Sequence, residues 1–77
     1  MTSYSENELR WRKTTDVDRE HALFELVAGE TTLLDVGFSD ENVFEVAIHD
    51  GASGWIVSWD DLQRRIDDGR RLAIEDQ

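Results

Sequence analysis

The stretch Phe44-Glu45-Val46-Ala47-Ile48-His49-Asp50-Gly51-Ala52-Ser53-Gly54-Trp55-Ile56-Val57-Ser58-Trp59-Asp60-Asp61-Leu62 changes its hydrophobic period partway along. Up to His49 the period is two, with Phe44, Val46 and Ile48 pointing one way and Glu45, Ala47 and His49 the other, which is the signature of a strand with one buried face. Asp50 to Gly54 is a glycine-bearing turn, and Trp55-Ile56-Val57 is a β-rich run too short to show which face it buries. Ser58 then opens a helix. Its hydroxyl can accept from the Asp61 amide, and the Asp61 carboxylate can reach back to the Ser58 amide. Asp60 and Asp61 place negative charge in the first turn, where the helix dipole favours it.

Downstream, Leu62, Ile66, Gly69 and Ala73 recur at helical spacing with Leu72 adjoining, so one stripe can lie on a sheet while Arg64, Arg65, Asp67 and Asp68 stay wet. Pairs such as Asp60 with Arg64 and Asp67 with Arg71 add support at i,i+4. Gly69 is either a close-packing site or a C-terminal stop, and the helix is expected over 59–75. Upstream, Leu9 and Trp11 alternate with Arg10 and Arg12. Ala22, Phe24, Leu26 and Ala28 alternate with Leu23, Glu25 and Val27, and Leu34, Val36 and Phe38 form another such series. Gly29-Glu30 supplies a hairpin turn and Ser39 to Asn42 a polar one.

These segments predict an α+β fold: an antiparallel β-meander of four to five strands with one C-terminal helix packed on one face. The strands are expected over about 8–14, 21–28, 32–38, 43–49 and 54–57, and residues 1–7, polar and terminal, are expected to be loose. Seventy-seven residues hold one core and no second domain, and a chain this short hides only roughly 60% of its unfolded surface on folding. With no cysteine and no partners for a histidine zinc site, packing alone must hold it together. The polar start from Met1 to Glu8 is unlike a secretory signal and no apolar run approaches a membrane span, so a cytoplasmic protein with no membrane association is expected.

Eighteen Asp and Glu against eight Lys and Arg give a net charge of -10. A surface that holds phosphate backbones needs a basic stripe, so direct nucleic-acid binding is not expected and a protein partner with a basic surface fits better. Solubility, a salt-loving source or sparing use of lysine would account for the acidity equally well.

No residue pattern marks a catalytic centre. Glu20-His21 and His49-Asp50 are sequence neighbours, and neighbours on a strand point to opposite faces and cannot orient one another. There is no glycine-rich phosphate loop and no G-x-S-x-G elbow. Asp16-x-Asp18-x-Glu20 opens like a calcium loop but lacks the required glycine and distal glutamate, so it reads as a solvated acidic connection, and no metal or cofactor is expected. Trp11 and Trp55 read as core residues. Trp59, at the first helical position and off the Leu62-Ile66 stripe, is the candidate partner-facing aromatic. Glu25, Asp35 and Glu45 are expected to form an outward row on neighbouring strands, one carboxylate each, which a partner's bases could neutralise; the same row would also serve solubility and discourage edge pairing. The candidate partner-binding residues are therefore Glu25, Asp35, Glu45 and Trp59.

Taken in order, Leu33-Leu34-Asp35-Val36, then Phe44-Glu45-Val46-Ala47-Ile48-His49, a glycine turn and the helix from Trp59 to Leu72 resemble small bacterial immunity proteins encoded beside polymorphic or contact-dependent toxins. The resemblance rests on meander patterning and acidity over the later part of the chain. It implies tight binding to a cognate toxin, often a basic nuclease, at its active site or an exosite. Alternatives from other classes are an acidic nucleic-acid mimic, a small accessory subunit of a larger complex, and an enzyme using His21 or His49.

Overall fold

The computed structural model describes residues 2–49 and 54–77. Its elements in chain order are β1 (Thr2–Ser3), a 3-10 turn (Glu6–Glu8), β2 (Leu9–Thr14), β3 (Leu23–Ala28), β4 (Thr31–Phe38), β5 (Phe44–Ile48), β6 (Trp55–Ile56) and α1 (Trp59–Asp76). β2 to β5 form the expected antiparallel meander in sequential order, and α1 packs on one face of it. Gly29, with φ of 60°, turns β3 into β4, a conformation that glycine adopts without a Cβ clash. The turn from Asp50 to Ser53 lies outside the described residues.

The register defines the two faces. Trp11, Leu26, Leu34 and Ile48 oppose one another across the four strands, as do Lys13, Phe24, Val36 and Val46. These rows face the helix, because Lys13 reaches Asp76 (2.5 Å) and Trp11 touches Gly69. Leu9, Phe24, Leu26, Ala28, Leu33, Leu34, Val36 and Ala73 form the buried cluster between sheet and helix. Trp11, Trp55, Leu62 and Leu72 pack against its margin. Leu33 interrupts strict alternation: Leu26 opposes Leu34 while Val27 opposes Thr32, leaving Leu33 as an extra residue between them. This bulge buries both Leu33 and Leu34.

The helix starts as expected, with Ser58 Oγ accepting from the Asp61 amide at 3.1 Å. The Asp61 carboxylate does not close the reciprocal half of the box but pairs with Arg64. The i,i+4 pairs expected for Asp60 with Arg64 and Asp67 with Arg71 are replaced among the described residues by i,i+3 pairs, Arg64 with Asp61 and Arg71 with Asp68. The helix continues through Gly69 to Asp76, and Gly69 is the close-packing site. An added Cβ there would lie 2.6 Å from Trp11 Cζ2.

Two expectations need correction. The strand expected over 54–57 does not extend the meander: Trp55–Ile56 pairs in parallel with Thr2–Ser3, within the N-terminal stretch expected to be loose. Tyr4 N–H donates to the Ile56 carbonyl (2.9 Å), and Tyr4, Trp55 and Val57 supply apolar anchors against the core. Ser5 N–H and hydroxyl both donate to Glu8 (3.1 and 2.8 Å), and Arg64 and Arg65 of the helix reach Glu6. Polar composition hid these long-range ties. The second correction concerns β5, whose inward residues were expected to be core. They do face the helix side, but α1 lies over β3 and β4 and stops short of the edge, so Val46 is 42% and Ile48 73% exposed. No helix among the described residues is long and apolar enough to cross a membrane.

Candidate partner-binding site

Glu25, Asp35 and Glu45 share the face of the sheet opposite the helix: Glu25 opposes Asp35 directly, while Glu45 opposes Gly37 two positions further along β4. Each carboxylate has a basic neighbour. Arg12, opposite Glu25 on β2, binds it at 2.7 Å. That bond, aided by the Thr32 hydroxyl (3.0 Å) against the opposing effect of partial burial, holds the Glu25 carboxyl below its ordinary value of 4.5. His49 Nε2 lies 2.7 Å from Asp35 Oδ2. Arg19, from the β2–β3 connection, donates to the Phe38 carbonyl (3.1 Å) and lies 3.8 Å from Glu45. The row expected from alternation is thus assembled, but with an arginine beside Glu25 and beside Glu45 and an imidazole hydrogen-bonded to Asp35, and not as a bare acidic strip. The strands that carry the carboxylates hold no lysine or arginine; the cross-strand register of β2 and the long reach of Arg19 supply the arginines.

The His49–Asp35 pair was likewise not anticipated, since His49 was weighed only with its neighbour Asp50. The ladder brings Asp35 within reach because Asp35 opposes Ala47 and His49 is the next residue on that face. A carboxylate-held imidazole can bind or move a proton. Among the described residues no side-chain hydroxyl or thiol is hydrogen-bonded to it. Asp16 is occupied locally, with its carboxylate accepting from the Asp18 amide (2.9 Å), and no metal-binding group of three or more His, Cys, Asp or Glu occurs among the described residues.

Trp59 is 69% exposed at the first position of α1. It belongs to a larger feature. Arg70 lies over the Phe44 ring (5.9 Å to the centroid), and Gln77 donates to Asn42 (3.1 Å), so one flank of the helix looks along β5. At 3.6 residues per turn, Trp59, Ile66 and Ile74 all fall within about 40° of Arg70 around the helix axis. Trp59 and Ile74 on that flank, with Val46 and Ile48 on the helix-facing side of β5, make up four of the seven large exposed hydrophobics named among the described residues, the others being Val17, Val43 and Ile56. Val46 and Ile48 make an open apolar step between the edge of the sheet and the side of the helix, with Ile74 on the stretch of helix that reaches β5 and its turn through Arg70 and Gln77, and Trp59 about 16 Å further along the helix from Arg70. Asp40, Glu41, Glu45 and Asp67 are the exposed acidic rim of the step.

Among the described residues the outer edge of β5 pairs with no other strand. His49 N–H donates to the Leu33 carbonyl and Ser39 N–H to the Val43 carbonyl, which sets the hydrogen-bonded pairs of the β4–β5 ladder. Phe44, Val46 and Ile48 occupy the alternate, non-bonded positions, so their own N–H and C=O groups point away from β4. The opposite edge, β2, carries Arg10, Arg12 and Lys13, the charged residues that ordinarily blunt an edge. Comparison with protein-family models, with curated proteins and with solved structures found no match to this chain, so these side chains and this edge are the whole basis for assigning a role.

Proposed function

We propose that the chain is a non-catalytic protein-binding domain, an immunity-type inhibitor that engages a cognate bacterial toxin with a basic surface. The observation that carries the reading is the open apolar step at β5 on a body of net charge -10. An apolar surface left uncovered with an acidic rim suits a partner that brings apolar residues ringed by bases. The nucleic-acid-mimic alternative draws on carboxylates free to imitate phosphates, and those at Glu25, Asp35 and Glu45 each have a basic neighbour. The apolar step therefore favours protein binding. The test is calorimetric titration of the chain with the product of a toxin-like gene encoded beside it. A stable stoichiometric complex is expected, and no heat and no co-elution on size exclusion would overturn the proposal.

A further inference from the structure

We propose that the outer edge of β5 is a strand-addition site, at which an extended segment of a partner protein, alternating apolar with basic residues, pairs with Phe44, Val46 and Ile48. The inference rests on the protein-binding reading above and specifies its geometry. Three observations converge on it. The outward N–H and C=O groups of Phe44, Val46 and Ile48 repeat every second residue, the spacing at which an added antiparallel or parallel strand forms its bonds. The side chains of the same residues lie on the helix side, where Val46, Ile48, Trp59 and Ile74 are exposed, so every second side chain of an added strand would enter an apolar step between sheet and helix. The remaining side chains of that strand would lie on the other face beside Glu45, between the acidic turn at Asp40 and Glu41 and the His49–Asp35 pair.

Apolar side chains on one side and, on the other, the largely exposed Glu45 beside the acidic turn of Asp40 and Glu41 select the occupant. A second copy of this chain would extend the sheet through the same groups, but it would bring another charge of -10 and its own acidic rim against this one. A segment alternating isoleucine or valine with lysine or arginine meets both faces with complementary chemistry.

The probe is a blocked synthetic peptide of alternating isoleucine and lysine, compared with a peptide of the same composition in which all lysines precede all isoleucines. Amide exchange is followed by NMR on the intact chain. The alternating peptide is expected to slow exchange at Phe44, Val46 and Ile48 by about tenfold or more, and the block peptide is not. Val46→Pro removes an outward donor without removing a bond to β4, and is expected to weaken the alternating peptide by about fivefold, the equivalent of one net hydrogen bond. Should that variant fail to fold, Ile48→Lys, at an exposed position, is expected to weaken it by at least about tenfold through charge and lost apolar contact. Equal effects of the two peptides would reduce the interaction to charge and overturn the site. So would protection confined to β2, or no protection at any edge. Protection of these amides without peptide, rising with protein concentration alongside dimer in sedimentation, would assign the edge to a second copy and overturn it as well. A toxin complex that leaves these amides exchanging freely overturns strand addition while keeping the proposed function; peptide protection with no toxin complex does the reverse.

Discussion

Replacing Gly69 with alanine sets two opposed effects against each other, and the structure decides their sum. Alanine in a helix interior is favoured over glycine by about 0.5–1 kcal/mol, because glycine loses more backbone freedom on folding. At Gly69 the new Cβ would lie 2.6 Å from Trp11 Cζ2, 2.7 Å from Cη2 and 3.1 Å from Cε2. Those atoms belong to a rigid ring held between β2 and the helix, so the helix or the indole must move, and overpacking of this kind costs about 1–3 kcal/mol. The net expectation for Gly69→Ala is a loss of about 0.5–2 kcal/mol. In a domain of this size each kcal/mol lowers the melting temperature by roughly 4–8 °C. The assay is thermal and urea denaturation followed by tryptophan fluorescence and circular dichroism. A second background isolates the cause: with Trp11→Leu in place the ring is gone, and Gly69→Ala should then stabilise by about 0.5–1 kcal/mol. A higher midpoint for Gly69→Ala in the otherwise unaltered chain, or the same sign in both backgrounds, would refute the close-packing account.

Three further outcomes are expected. Ser58→Ala should destabilise by about 0.5–2 kcal/mol, because Asp61 N–H loses its acceptor, and an unchanged urea midpoint would place the start of the helix elsewhere. Phe44→Ala should cost about 1.5–3 kcal/mol, less than the 3–5 typical of a fully buried phenylalanine, because Phe44 is half-buried at the edge between Phe38 (5.3 Å) and Arg70; a loss at the full-burial level would show a covered β5. Glu25, depressed below 4.5 by Arg12, contributes stability that is present above its unfolded value and lost as pH falls through 4.5 and below. Glu25→Gln should therefore show a shallower loss of stability on acidification below about pH 4.5 than the unaltered chain, whereas parallel profiles would mean that the Arg12 pair does not persist in solution.

The meander, the helix and their order were legible because each rests on local chemistry: the two-residue period of β3 to β5, the turn at Gly29, and the Ser58 cap. What could not be read were relations between distant segments. Thr2–Ser3 carries no strand pattern of its own, and only its pairing with Trp55–Ile56 and the seating of Tyr4 order it. The alternation of Phe44, Val46 and Ile48 correctly assigns them to the helix side, yet period alone does not say whether a helix reaches that far across a sheet. Likewise the outward row Glu25, Asp35 and Glu45 follows from alternation, while their partners Arg12, His49 and Arg19 follow from register and loop geometry. Trp59 was expected off the apolar stripe, but seven residues from Ile66 it stands within about 20° of it around the helix axis, and it is exposed all the same.

If the proposed site is right, the exposed edge of β5, and not net charge, engages the protein partner. The most direct test is a titration of the partner with Ile48→Lys beside Thr15→Lys, which changes the charge equally at an exposed position just beyond the opposite edge strand. Ile48→Lys is expected to weaken binding by about tenfold or more, while Thr15→Lys changes it by less than about threefold. Equal affinities for the two variants would contradict it.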